Sequence, residues 1–198
     1  MYKAVLFDLW NTLAISSEEW SRAYKTAGYH KTAEHDKKFE ESINTRAFTD
    51  EKELAVTMCE LFGSDKSQEV EKLLVSSTAR FFDDVIPGIH KLKKKGYSVG
   101  IVSNTHNLEI KKLEFSFVDL VILSSEVGLV KPDKRIFLLA AEELEVKPED
   151  CVFVGDNLIM DYEGAENAGM KPILIDRKGK HPDKEHIKDL YELLEVLE

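Results

Sequence analysis

Residues 4–13, Ala-Val-Leu-Phe-Asp-Leu-Trp-Asn-Thr-Leu, put one carboxylate at the end of an apolar run. Val5, Leu6 and Phe7 make a run short enough for a strand buried on both faces, and it stops abruptly at Asp8 with Asn11 and Thr12 just beyond. An acid in that position sits at the carboxyl end of a strand. In open α/β sheets ligands bind along that edge, because loops and helix N-termini converge there. The pattern returns later in the chain. Tyr97–Val102 runs into Ser103-Asn104-Thr105-His106, Val118–Leu123 into Ser124-Ser125, and Cys151–Val154 into Gly155-Asp156-Asn157, and a fifth run covers Pro172–Ile175. Helical stretches alternate with these runs, which implies right-handed crossovers and a doubly wound parallel α/β sheet.

Residues 14–84 interrupt that alternation. Ser16 and Glu19 have capping-box spacing and open a helix through Trp20 and Tyr24 to Gly28. Further helices are predicted over Glu34–Ile43, from Asp50 to Gly63, and along Val70, Leu73, Leu74 and Phe81, so the block reads as all-helical. Pro87 and Gly88 break the pattern before a short helix over Ile89–Lys95. Asp133 is placed to cap the helix that follows Lys131-Pro132, and an amphipathic helix over Ile187–Leu197 ends the chain. The expected organisation is a core of residues 1–13 and 85–198, interrupted by a helical cap of residues 14–84. Because the cap leaves and re-enters the core just after Asp8, it is held above the edge where Asp8, Ser103, Lys131 and Asp156 should converge.

Composition narrows the function classes. Apolar residues make up 43% and charged residues 32%, and no apolar run approaches the roughly 20 residues that span a bilayer. The N-terminus has no signal-peptide pattern, and Cys59 and Cys151 lie far apart in apolar contexts that suit buried thiols. A cytoplasmic setting fits. A net charge of −10 disfavours binding to nucleic acid or to an anionic membrane surface. A small anionic substrate would need local neutralisation, and the sequence leaves its identity and the oligomeric state open.

Asp8 and Asp156 offer two hard oxygen ligands from different strand ends, a set that suits Mg²⁺. Ser103 adds a hydroxyl and Lys131 a positive charge, the groups needed to hold a phosphoryl group while a carboxylate attacks it. Phe7-Asp8-Leu9-Trp10-Asn11-Thr12-Leu13, Val102-Ser103-Asn104, Lys131-Pro132-Asp133 with Ile136-Phe137, and Gly155-Asp156-Asn157 with Asp161 and Gly164-Ala165 resemble, in order, the four motifs of the haloacid dehalogenase superfamily. The helical block resembles that family's cap of the first type. The resemblance implies a phosphatase in which Asp8 is the nucleophile and forms an aspartyl-phosphate. It also implies that Asp8, Asp156 and the backbone carbonyl of Trp10 hold Mg²⁺, that Ser103, Asn104 and Lys131 bind the phosphoryl group, and that Thr12, Asn157 and Asp161 support the site.

Trp10 departs from the pattern. Phosphatases of this family usually carry a second aspartate there, which protonates the leaving group, and an indole cannot do so. The family's 2-haloacid dehalogenases have an aromatic residue at that place, which makes a dehalogenase the alternative, although their fourth motif lacks the acid that Asp156 supplies. A low-turnover phospholigand-binding relative is a third reading. Lacking that acid, a phosphatase should favour acyl and aryl over alkyl phosphates. His106 is expected at the surface, and specificity is expected from cap residues such as Arg22, Tyr24, His30 and Arg46.

Overall fold

A computed structural model describes residues 2–197, so the two outermost positions of the expected core, 1 and 198, lie outside it. Five strands, β1 (Ala4–Phe7), β4 (Ser98–Ser103), β5 (Leu120–Leu123), β6 (Cys151–Gly155) and β7 (Lys171–Leu174), form one parallel sheet in the order β5-β4-β1-β6-β7. The chain winds outward from β1 in both directions. The switch point therefore falls at the carboxyl ends of β1, β4 and β6, where a crevice opens in sheets of this kind.

Side chains alternate across each strand, so β1 supplies both layers. Val5 and Phe7 pack with Val99, Ile101 and Val152 under α5 (Val85–Lys94) and α10 (Leu190–Val196). Ala4 and Leu6 pack with Phe153 under α8 (Lys134–Glu143) and α9 (Gly164–Asn167), through Ile136, Phe137, Ala140 and Ala165. Both faces of the sheet are covered, as a central parallel strand requires.

Four helices lie between β1 and α5: α1 (Glu18–Thr26), α2 (Ala33–Ser42), α3 (Glu51–Phe62) and α4 (Ser67–Ser76). They enclose a second apolar core of Trp20, Ala23, Ile43, Phe48, Leu54, Met58, Val70 and Leu74, to which α6 (Asn107–Ile110) contributes Leu108. The block is not entirely helical. Ala14–Ser16 (β2) and Ala79–Phe81 (β3) pair antiparallel, because the outgoing and returning chains run side by side, and Phe81 lies in this ribbon although its spacing matched a helix face.

Other boundaries move for local reasons. Ser16 is paired with Ala79, so Ser17 becomes the residue before α1 and Glu19 reaches its hydroxyl. Pro87 falls in the first turn of α5, where no intrahelical N–H is needed, so the helix starts before the proline instead of after it. Ile187 bridges to Ile175 and Asp189 caps α10, which shortens the last helix. Asp133 accepts from the Arg135 N–H at 3.0 Å, capping α8 as its position suggests.

Candidate active site

Register assembles the site. Phe7 pairs with Ile101 on one side and Val154 on the other, so Asp8 one step on, and Ser103 and Asp156 two steps on, share one rim. Neighbouring strands are about 4.8 Å apart, which places three side chains from distant parts of the sequence within reach of one ligand. Lys131 comes from the loop between α7 (Ser124–Val127) and α8. Its Nζ donates to Asp8 Oδ1 at 2.7 Å and to Asp161 Oδ1 at 2.6 Å, above the Phe153 ring.

These groups are shielded from water: Lys131 is 2% exposed, Asp161 2% and Asp8 8%. Burial alone would lower the Lys131 pKa, but Asp161 and Asp8 more than offset it and hold the ammonium charged well above its ordinary range. Burial raises Asp161 despite Lys131. Burial and the Asp8 charge raise Asp156, against the pull of Lys180, whose Nζ lies 3.1 Å from Asp156 Oδ2. Carboxylate oxygens of Asp8, Asp156 and Asp161 all lie within 4.8 Å of one another. Three acids thus face two lysines, one of them the exposed Lys180, and that surplus of negative charge on hard oxygens suits a divalent cation.

Two glycines make room for the cluster. A Cβ on Gly155 would lie 2.4 Å from the Asp161 carboxylate, and one on Gly164 would meet the Phe137 ring at 2.8 Å and Pro132 Cα at 3.2 Å. Asp161 can therefore fold back over the end of β6, and the Lys131 loop can pack on α9. Asn157 caps the following turn by accepting from the Ile159 and Met160 N–H groups, and its own N–H donates to Asp161 Oδ2. The Thr12 carbonyl accepts from Arg177 Nε at 2.7 Å, and Arg177 also grips Asp84 in a bidentate pair.

The expected residues are not all placed as the sequence suggested. Ser103 Oγ is fully buried and has no hydrogen-bond partner among the described residues. Asn104, expected on the phosphoryl group, clamps the Lys131 backbone, donating to its carbonyl at 3.0 Å and accepting from its N–H at 2.8 Å. Trp10 turns its indole N–H to Thr105 Oγ1 at 3.2 Å, and Thr105 donates in turn to Glu109 Oε2. His106 is not a surface residue. It is fully buried between the Trp20 and Phe48 rings, where burial lowers its pKa to about 3 and keeps it neutral. The reason lies in the neighbouring segment: Asn107 and Leu108 plug into the helical insertion, with the Asn107 amide bonded both ways to the Phe48 backbone, and His106 goes in with them.

Among the insertion residues named from sequence, Arg22 and His30 are exposed, and Arg46 pairs with Glu53. Tyr24 packs on Trp20, Tyr29 and Phe39. Sequence reading missed Glu40, which faces Lys131 and Asn104, and Asn44, which donates to Glu40. Their i,i+4 spacing across the end of α2 was the available signal.

Burial pushes the Glu109 carboxyl up to about 8, against Thr105 and Lys112. The folded protein therefore keeps a proton there that the unfolded chain releases above its ordinary value of 4.5. That contribution is complete below pH 4.5 and is lost as pH rises towards 8. Glu109→Gln cannot titrate, so relative to wild type it should gain on the order of a few kcal/mol in stability between pH 5 and pH 8. Denaturant unfolding at both pH values checks this, and a pH-independent difference would contradict it.

The chain matches the model of the haloacid dehalogenase-like hydrolases over residues 2–169, and it belongs to that family. The glyceraldehyde 3-phosphate phosphatase of Methanothermobacter thermautotrophicus is 31% identical over 95% of this chain and 92% of its own length. The enzyme of the same name from Methanopyrus kandleri is 40% identical, over 54% of this chain and 48% of its own, so the chain matches only about half the length of that relative. A crystal structure of a HAD phosphatase from Thermococcus onnurineus superposes with a TM-score of 0.69 at 28% identity, covering 98% of this chain and 97% of the other.

Proposed function

We propose that the chain is a Mg²⁺-dependent phosphatase that hydrolyses a small phosphorylated metabolite through an aspartyl-phosphate, with Asp8 as nucleophile. The observation that carries this reading is the buried Lys131 ammonium 2.7 Å from Asp8, on the rim that also presents Asp156 and the Ser103 hydroxyl, which has no partner among the described residues. An Asp8 oxygen attacks phosphorus as the bond to the leaving oxygen breaks. Ser103 and Lys131 hold the phosphoryl oxygens through that displacement, and water then attacks the same phosphorus and frees the carboxylate. Asp161 holds Lys131 in place, while Thr12 and Asn157 support the turns on either side. Asp8, Asp156 and the Trp10 carbonyl would bind Mg²⁺, which, when bound, neutralises charge on the transferring group.

In this reading residues 14–84 form a cap domain over a core of 1–13 and 85–198, and the insertion chooses the substrate. Among the described residues no helix is long and apolar enough to cross a membrane. With the net charge of −10, this supports a cytoplasmic enzyme of anionic small molecules rather than a nucleic-acid or membrane binder. The names of the relatives make a three-carbon phosphate the first substrate to try. Trp10 supports the alternative of a dehalogenase, but without a cation Asp156 would repel a haloacid carboxylate.

The test is a panel of phosphate esters that includes glyceraldehyde 3-phosphate, assayed with Mg²⁺ and with a chelator, beside a haloacid panel. Chelator-sensitive phosphate release is the expected result. Metal-independent halide release would establish the dehalogenase, and no turnover on either panel would point to a binding protein.

A further inference from the structure

A phosphatase of this kind needs a proton for its leaving oxygen, and the obvious donors are unavailable. Trp10 has its N–H on Thr105, and His106 is buried between two rings with neither nitrogen hydrogen-bonded among the described residues. Glu109 sits behind Thr105, and Asp161 is bound to Lys131.

Glu40 is placed differently. It lies in the last turns of α2, on the insertion, and Asn44 Nδ2 donates to its Oε2 at 3.2 Å. Asn44 is fastened to the core, because its carbonyl accepts from the Ser124 hydroxyl, which also accepts from the Thr105 N–H. The Asn104 side chain, whose amide is bonded to the Lys131 backbone, also faces Glu40. Glu40 thus faces, from the insertion side, the loop whose Lys131 ammonium donates to Asp8.

We propose that Glu40 is the proton donor to the leaving oxygen and then the base that activates the hydrolytic water. The proposal rests on the phosphatase reading above. In the first step an Asp8 oxygen bonds to phosphorus, the bond from phosphorus to the leaving oxygen breaks, and the Glu40 carboxyl proton passes to that oxygen. In the second step the Glu40 carboxylate takes a proton from water as its oxygen attacks phosphorus. Inorganic phosphate leaves, and both carboxyl groups return to their starting states. The surroundings suit a group that must hold and release a proton. Burial raises the Glu40 pKa, and so does the Asp36 carboxylate, whereas the Asn44 and Asn104 amides and the Lys131 charge oppose the rise. The Tyr24 and Tyr29 phenols also face it.

The experiment compares wild type and Glu40→Gln, with Mg²⁺, on esters from acetyl and p-nitrophenyl phosphate to glycerol 3-phosphate. Alkyl esters should lose about 10²- to 10⁴-fold in kcat/KM while acyl and aryl esters change little, and the fall of the alkyl rate at high pH should disappear. An equal loss on every ester, a change in KM alone, or no change would overturn the assignment. Wild type alone gives a second measure that holds even if the variant does not fold. Its log kcat/KM should vary only shallowly with leaving-group pKa, and a steep dependence would refute a donor at Glu40. If no ester, acyl and aryl included, releases phosphate, the phosphatase reading falls as well; active aryl turnover that Glu40→Gln leaves untouched along with alkyl turnover removes only Glu40.

Discussion

Asp8→Asn should abolish phosphate release while the protein stays folded. The amide has the shape of the carboxylate but cannot attack phosphorus, and losing a covalent nucleophile costs up to about 10⁶-fold in turnover. The fold has little reason to respond. Lys131 keeps Asp161 as its ionic partner at 2.6 Å and can still donate to the amide oxygen, while one of three mutually repelling acids loses its charge. A thermal melt within a few degrees of wild type, with no measurable turnover on any ester, is the expected pair of results. Wild-type rates in the folded variant would remove Asp8 from the chemistry.

The sheet was legible in the sequence because a parallel strand buried on both faces leaves an unbroken apolar run, and Val5–Phe7, Tyr97–Val102 and Cys151–Val154 are such runs. Their polar endings marked the rim, so Asp8, Ser103 and Asp156 could be placed together before their register was known. The ribbon of β2 and β3 was hidden, since three residues carry no period and Phe81 happened to extend a helical one. Long-range partners were hidden too. Nothing near Asn104 announces that its amide will be used to hold Lys131, twenty-seven residues on. His106 reads as a loop residue because its burial depends on the insertion packing over α6, a contact made between distant segments. Glu40 was missed for the same reason. On its own helix it looks like one acid among several, the i,i+4 pairing with Asn44 being the one local sign, and the bond that ties Asn44 to Ser124 joins distant segments.

Lys131→Met should be the most destabilising of these substitutions. Methionine fills much of the volume of the lysine stem, so the loss comes from charge, not from packing. Asp8 and Asp161 would keep their buried places without the ammonium that each touches, at 2.7 and 2.6 Å. Removing one partner of a buried ion pair costs about 3–5 kcal/mol, far more than the net worth of the pair, because a desolvated charge is left uncompensated. The sign over pH follows from the raised pKa of Lys131: its contribution is whole below its ordinary 10.5 and would fade only above it, so wild type keeps all of it at pH 7. On the proposed mechanism turnover should fall as well, because the ammonium that would hold the phosphoryl oxygens is gone. Urea unfolding at pH 7 in chelator measures the stability loss. Adding Asp161→Asn to Lys131→Met should recover a substantial part of it, since a neutral amide is cheaper to bury than an unpaired carboxylate. If the double variant is no more stable than Lys131→Met alone, the loss arises from packing, and the electrostatic account of this site is wrong.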